Sequence, residues 1–202
     1  MPSGFSKSVN GSRTSWGPFG EMADRYYLAG PNKNLHKCSN TAFLFDANVW
    51  LSISGPYEDR ISQRASAYSN FYKRVLASGG RVVLPKVVIS EFVNKAVHMQ
   101  AMVAKFEKAR GVKIHDAAAY DEWIKEACDL TFHIVNDNIR VPDGFDSLDI
   151  SACINRAEAG GIEFNDVLIA ELCRRDGYVL VTDDADYSGY DIDIVTFNQR
   201  LA

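Results

Sequence analysis

The stretch Ala42-Phe43-Leu44-Phe45-Asp46-Ala47-Asn48 decides the fold. Four apolar residues in an unbroken run leave no polar face. That pattern fits a strand of a parallel sheet, covered on both sides, better than a half-exposed strand, which alternates. The run ends on a carboxylate. In open α/β sheets the ligand crevice lies beyond the carboxyl ends of the strands, so Asp46 is a candidate site residue before anything else in the chain is read.

Working outward, further short apolar runs alternate with helical periods. Val82-Val83-Leu84 is a second strand, closed by Pro85; Asn138–Val141, Tyr178–Val181 and Ile192–Thr196 supply three more. Pro56 opens a helix with Ile61, Ala65, Tyr68, Tyr72, Val75 and Leu76 on one face, stopped by Ser78-Gly79-Gly80. Val88, Phe92, Ala96, Met99, Val103 and Phe106 mark a long helix ending near Gly111. A further helix, capped by Asp116, carries Tyr120, Trp123, Ile124, Ala127, Leu130 and Ile134. Asp146 or Ser147 caps a helix to Ala159, and Asn165 or Asp166 begins another that ends at Asp176-Gly177. Parallel strands joined by helical crossovers give an α/β fold of three layers, α/β/α, around a mostly parallel central sheet.

That topology sends three more acids to the rim where Asp46 stands. Glu91 lies one to two turns into the helix after the second strand. Asp166 sits at a helix N-terminus, and Asp184 follows the Val179–Val181 run in Thr182-Asp183-Asp184. Carboxylates gathered in one cleft repel each other and need a cation. Hard divalent ions such as Mg²⁺ or Mn²⁺ prefer oxygen ligands of this kind, and a site so built suits metal-assisted chemistry on phosphate. Asp183 reads as a solvated turn residue. Trp50 reads as a core aromatic, with stacking on a base as the alternative.

Composition narrows the function classes. The chain has 202 residues, 47% of them hydrophobic and 24% charged, enough for a core that needs no disulfide or metal staple. A net charge of −4 and a pI near 5.6 give no bulk attraction for nucleic acid, so metal ions or a local basic patch must supply it. Cys38, Cys128, Cys153 and Cys173 are scattered without zinc spacing and read as free thiols of a reducing compartment. With no apolar signal core and no membrane-length apolar run, the expectation is a cytoplasmic protein with no membrane partner. Residues 1–40, rich in Ser, Gly and Pro at their start, read as a flexible N-terminal arm, and 41–202 as the folded domain.

Four segments together resemble the PIN domain nucleases, above all the toxins of bacterial toxin–antitoxin pairs. They are Phe45-Asp46-Ala47-Asn48-Val49-Trp50-Leu51, Ser90-Glu91-Phe92-Val93-Asn94, Phe164-Asn165-Asp166-Val167-Leu168-Ile169-Ala170 and Leu180-Val181-Thr182-Asp183-Asp184-Ala185-Asp186-Tyr187. The resemblance implies a ribonuclease dependent on Mg²⁺ or Mn²⁺. In it Asp46, Glu91, Asp166 and Asp184 are the catalytic acids and bind the metal, and Asp186 joins them as a further metal ligand. Asn48 and Thr182 match polar positions that orient water or ligands. It also implies an RNA substrate, a cognate antitoxin protein and a homodimer.

Two other classes compete. Phosphatases with an aspartyl nucleophile resemble D-x-D after the first strand, and Asn48 breaks that pattern. A PIN-like scaffold that binds RNA or protein without cutting is the alternative function, but a dead site has no need to keep clustered repulsive charge.

Overall fold

The structure, a computed structural model, describes residues 23–28, 38–55, 63–109 and 116–201. Six strands form one sheet: β1 (Arg25–Tyr27), β2 (Ala42–Phe45), β3 (Arg81–Pro85), β4 (Ile139–Val141), β5 (Val179–Val181) and β6 (Ile194–Thr196). Their order is β1-β6-β5-β2-β3-β4, and every neighbouring pair is parallel. Six helices flank the sheet and complete three α/β/α layers: α1 (Ala47–Ser54), α2 (Gln63–Ala77), α3 (Lys86–Ala109), α4 (Asp116–Asp137), α5 (Ile150–Gly160) and α6 (Phe164–Asp176).

Strand β2 is central and buried along its whole length, as its unbroken apolar run requires. Phe45 packs between Trp50 of α1 and Phe71 and Tyr72 of α2, with ring centroids 5.4 to 6.0 Å apart. Truncating such a side chain to alanine costs about 3–5 kcal/mol. Trp50 is therefore a core aromatic, held between Phe45 and Tyr72. From β2 the chain moves to β3 and β4 on one side, then returns through α5 and α6 to β5 on the other. The loops after β2 and β5 thus leave in opposite directions. The crevice between them is a topological switch point, where α/β folds place their ligands.

Several elements differ from the sequence expectations. The sheet begins inside the segment assigned to the arm: β1 pairs with β6 in the register Arg25↔Ile194, and the Arg25 guanidinium donates to the carbonyls of Ile192 and Tyr190. Helix α1 follows Asp46 directly, where no helix is expected. Helix α2 is described from Gln63; Pro56 and Ile61 lie outside the described residues, as do Met1–Met22. Asp149, not Asp146 or Ser147, caps α5 by accepting from Ala152 N at 3.0 Å. Helix α6 begins at Phe164, one residue before the expected start, and both α5 and α6 end on a glycine in the left-handed region, Gly161 and Gly177. The long segment after Asn94 forms the outer part of α3 and helix α4, packed on each other around Ala96, Val97 and Ala127. The outer end of α3 leaves Met102, Val103 and Phe106 exposed, the last by 64%.

Candidate metal centre

Asp46 is the residue between β2 and α1. Its extended backbone (φ −68°, ψ 159°) makes it the N-cap of that helix, and its side chain accepts from Ala47 N at 2.6 Å. Its other oxygen accepts from the Thr182 hydroxyl at 2.9 Å. The carboxyl is only 2% exposed. Burial, reinforced by the charge of Glu91, pushes it up to about 7, against the opposing hydrogen bonds from Thr182 and Ala47.

Thr182 ties the two loops of the crevice together. Besides donating to Asp46, its oxygen accepts from Asp184 N at 3.1 Å and lies 3.4 Å from Asn48 Nδ2. Asp184 in turn caps a short 3-10 helix, Ala185–Gly189, and accepts from Asp186 N at 3.1 Å. Asp166 stands in the first turn of α6 rather than at its cap. The Tyr187 hydroxyl donates to it at 3.0 Å. Asp166 is 6% exposed and is pushed up to about 6, chiefly by burial and then, against the Tyr187 hydrogen bond, by the charges of Asp184, Glu91 and Glu163.

The five predicted acids divide into two groups. Asp166, Asp184 and Asp186 offer carboxylate oxygens that all lie within 4.8 Å of one another, a spacing that suits one cation. Asp46 and Glu91 stand outside that group, and both are buried, as Asp166 is. Glu91, on α3, is 7% exposed. Its Oε1 meets Lys95 Nζ at 2.5 Å, while its Oε2 is buried and has no partner. Burial alone would pull Lys95 down, yet its hydrogen bond to Glu91 and the charges of Glu91, Asp46 and Glu163 hold it above the ordinary lysine value. Oxygen donors from carboxylates and a buried carboxylate oxygen without a partner fit a hard divalent ion and its waters.

Sequence reasoning gave no role to three features. Tyr187, in the quoted motif, braces Asp166. Lys95, four residues after Glu91, was legible as a helical neighbour of that acid. Asp183 is not a solvated turn residue but a half-buried anchor. It accepts from Tyr68 Oη at 2.6 Å and pairs with Arg64 Nε at 2.7 Å, and its carbonyl accepts from Asn198 Nδ2 at 2.7 Å. The Tyr68 hydroxyl also accepts from Phe197 N at 2.8 Å. This clamp fixes the loop that presents Asp184 and Asp186. Arg174 and Arg175, at the other end of α6, pair with Glu171 and Asp176.

A family model described as "PIN domain" matches residues 43–193. The chain belongs to the PIN domain family. All five acids of the crevice fall within the matched span, in a family of nucleases. The PIN fold here is similar to that in the crystal structure of VapBC2 from Rickettsia felis bound to a DNA fragment from their promoter. The TM-score is 0.48 at 14% identity, over 77% of this chain and 98% of that one. It is also similar to PAE2754 from Pyrobaculum aerophilum, with a TM-score of 0.41 at 17% identity, over 80% of this chain and 92% of that one. No curated protein matches the chain in sequence. No helix among the described residues is long and apolar enough to cross a membrane.

Proposed function

We propose that this PIN domain protein is a ribonuclease that hydrolyses RNA phosphodiester bonds with Mg²⁺ or Mn²⁺. The observation that carries the reading is the meeting of Asp166, Asp184 and Asp186 within 4.8 Å at the switch point of the sheet, with the buried Glu91 carboxylate acting by charge on both Asp166 and Asp46. Asp166, Asp184 and Asp186 hold the ion, and Asp46 and Glu91 complete the catalytic set. A bound divalent ion supplies positive charge to the phosphoryl and leaving oxygens.

The chain's own residues do the rest. Thr182 and Ala47 N hold Asp46 in place, and Tyr187 fixes the Asp166 carboxylate, as outer partners of metal ligands commonly do. Asn48 donates to the Thr182 hydroxyl and joins the two loops. A water oxygen bonds to phosphorus as the bond to the leaving oxygen breaks. One water is consumed per cut, giving a phosphate monoester and an alcohol.

The test is cleavage of mixed RNA and DNA pools by the purified protein with Mn²⁺, with EDTA, and as the Asp46→Asn variant. Cutting of RNA that needs both metal and Asp46 is expected. Cutting that survives EDTA contradicts the reading, and a preference for DNA contradicts its substrate. The proposal extends to a role as the toxin of a toxin–antitoxin pair in the cytoplasm. It includes a cognate antitoxin and a homodimer, whose interface has material in the exposed Met102, Val103 and Phe106 of α3. Co-purification of a small partner protein and the mass of the isolated chain by light scattering check these two assignments.

A further inference from the structure

The half of the site formed by Asp46 and Glu91 carries a cation of its own. Lys95 lies one helical turn beyond Glu91 on α3, and its Nζ contacts Glu91 Oε1 at 2.5 Å. The Lys95 side chain is 42% exposed, but the carboxylate it meets is not. Glu91 is buried, its second oxygen has no partner, and the ammonium also lies in the field of Asp46 and Glu163. The rim acids differ. Among the described residues no ion pair joins a lysine or arginine to Asp166, Asp184 or Asp186.

An ammonium and a divalent ion cannot share one carboxylate oxygen at contact distance without strong mutual repulsion. Taken with the metal-dependent reading above, on which it rests, this arrangement separates two designs that both belong to carboxylate nucleases, one ion or two. We propose that Lys95 supplies the cation beside Glu91 and Asp46, so that the chain holds a single divalent ion on Asp166, Asp184 and Asp186. Glu91 then keeps its free Oε2 as a hydrogen-bond acceptor for the attacking water instead of as a metal ligand. Lys95 acts through Glu91 and is a positioning residue.

The experiment counts ions. Mn²⁺ is titrated into metal-free full-length protein, with free Mn²⁺ followed by electron paramagnetic resonance and bound heat by calorimetry. The wild type and Lys95→Arg are expected to bind one ion per chain, lost in Asp184→Asn. Lys95→Met is expected to bind two, and the second ion should vanish in Lys95→Met with Glu91→Gln. Two ions on the wild type, or no second ion on Lys95→Met with its circular dichroism unchanged, overturns the inference while leaving the metal-dependent reading intact. No ion on the wild type overturns the metal-dependent reading itself.

Discussion

The two halves of the acid cluster solve the same electrostatic problem differently. In one group, Asp166, Asp184 and Asp186 crowd together, with exposure rising from the buried Asp166 to the exposed Asp186, and among the described residues no lysine or arginine pairs with them. In the other, Asp46 and Glu91 are both buried, and the chain provides its own relief: Thr182 and Ala47 N for Asp46, Lys95 for Glu91. Buried carboxylates that lack water must be paired, hydrogen-bonded or protonated. Carboxylates beside solvent, such as Asp184 and Asp186, can stay unpaired. The comparison teaches that a set of acids alike in sequence is not one uniform set. Its members are sorted by partner, into those that meet no lysine or arginine among the described residues and those the fold has already compensated.

The sharpest way to break this comparison is to remove a rim carboxylate. Asp166→Asn is expected to lower the cleavage rate by about 10³-fold or more, since the charge stabilisation at stake is several kcal/mol. Its thermal unfolding without metal should move little or rise, because a buried repulsive charge is gone. Retention of most of the activity would mean that the rim group does not hold the ion.

The buried Asp46 is tested next by pH. Asp46 is raised from an ordinary 3.8 to about 7. Between those values the unfolded chain is ionised while the folded chain keeps its proton, so the folded state binds more protons. Its contribution is complete below about pH 4 and is lost as pH rises to 7. Metal-free protein should therefore lose stability on the order of a few kcal/mol across that window, and Asp166, raised to about 6, adds to the same slope. In Asp46→Asn, whose amide oxygen still accepts from Thr182, the slope should be markedly flatter in urea unfolding curves taken at each pH. An equally steep slope in that variant would place the proton elsewhere.

Metal itself gives a smaller effect that sharpens the distinction from an inert scaffold. Mn²⁺ at about 100 times its Kd is expected to stabilise the wild type by about 2.7 kcal/mol, seen as a rise in Tm. Asp184→Asn should show little of it. A scaffold with no working site would show none in either protein. The smallest effect belongs to the brace. Tyr187→Phe removes the hydrogen bond to Asp166 and should cost about 1 kcal/mol of stability and about 10-fold in Mn²⁺ affinity. Unchanged affinity would reduce Tyr187 to a packing residue.

The sheet's central strands were legible because each is a run with no polar face, too short for a buried helix and rich in β-branched and aromatic residues. The direction of Asp46, Asp184 and Asp166 toward one rim followed from strand order alone. What escaped depends on partners distant in sequence. Strand β1 is three residues, Arg25-Tyr26-Tyr27, and exists as a strand because β6 lies beside it. Helix α1, Ala47–Ser54, sets Ala47 and Leu51 among Asn, Val, Trp, Ile and two Ser, weaker helix formers, and is started by the Asp46 cap and held by packing against α2 and α3. Asp183 sits in a run of acids that reads as a turn, and only the arrival of Tyr68 and Arg64 from α2 makes it an anchor. The division of the five acids into two groups was likewise beyond spacing. It is set by a helix, α3, that carries both Glu91 and the lysine that answers it.

The central claim is that the rim acids hold an ion on which cleavage depends. Single-turnover cleavage of an end-labelled RNA pool, measured across a range of Mn²⁺ concentrations for the wild type and for Asp184→Asn, tests it most directly. The account predicts a wild-type rate that rises with Mn²⁺ to saturation and falls to background in EDTA, and a variant at background throughout with its fold intact. A rate that persists in EDTA, or a variant that cuts as the wild type does, would contradict it.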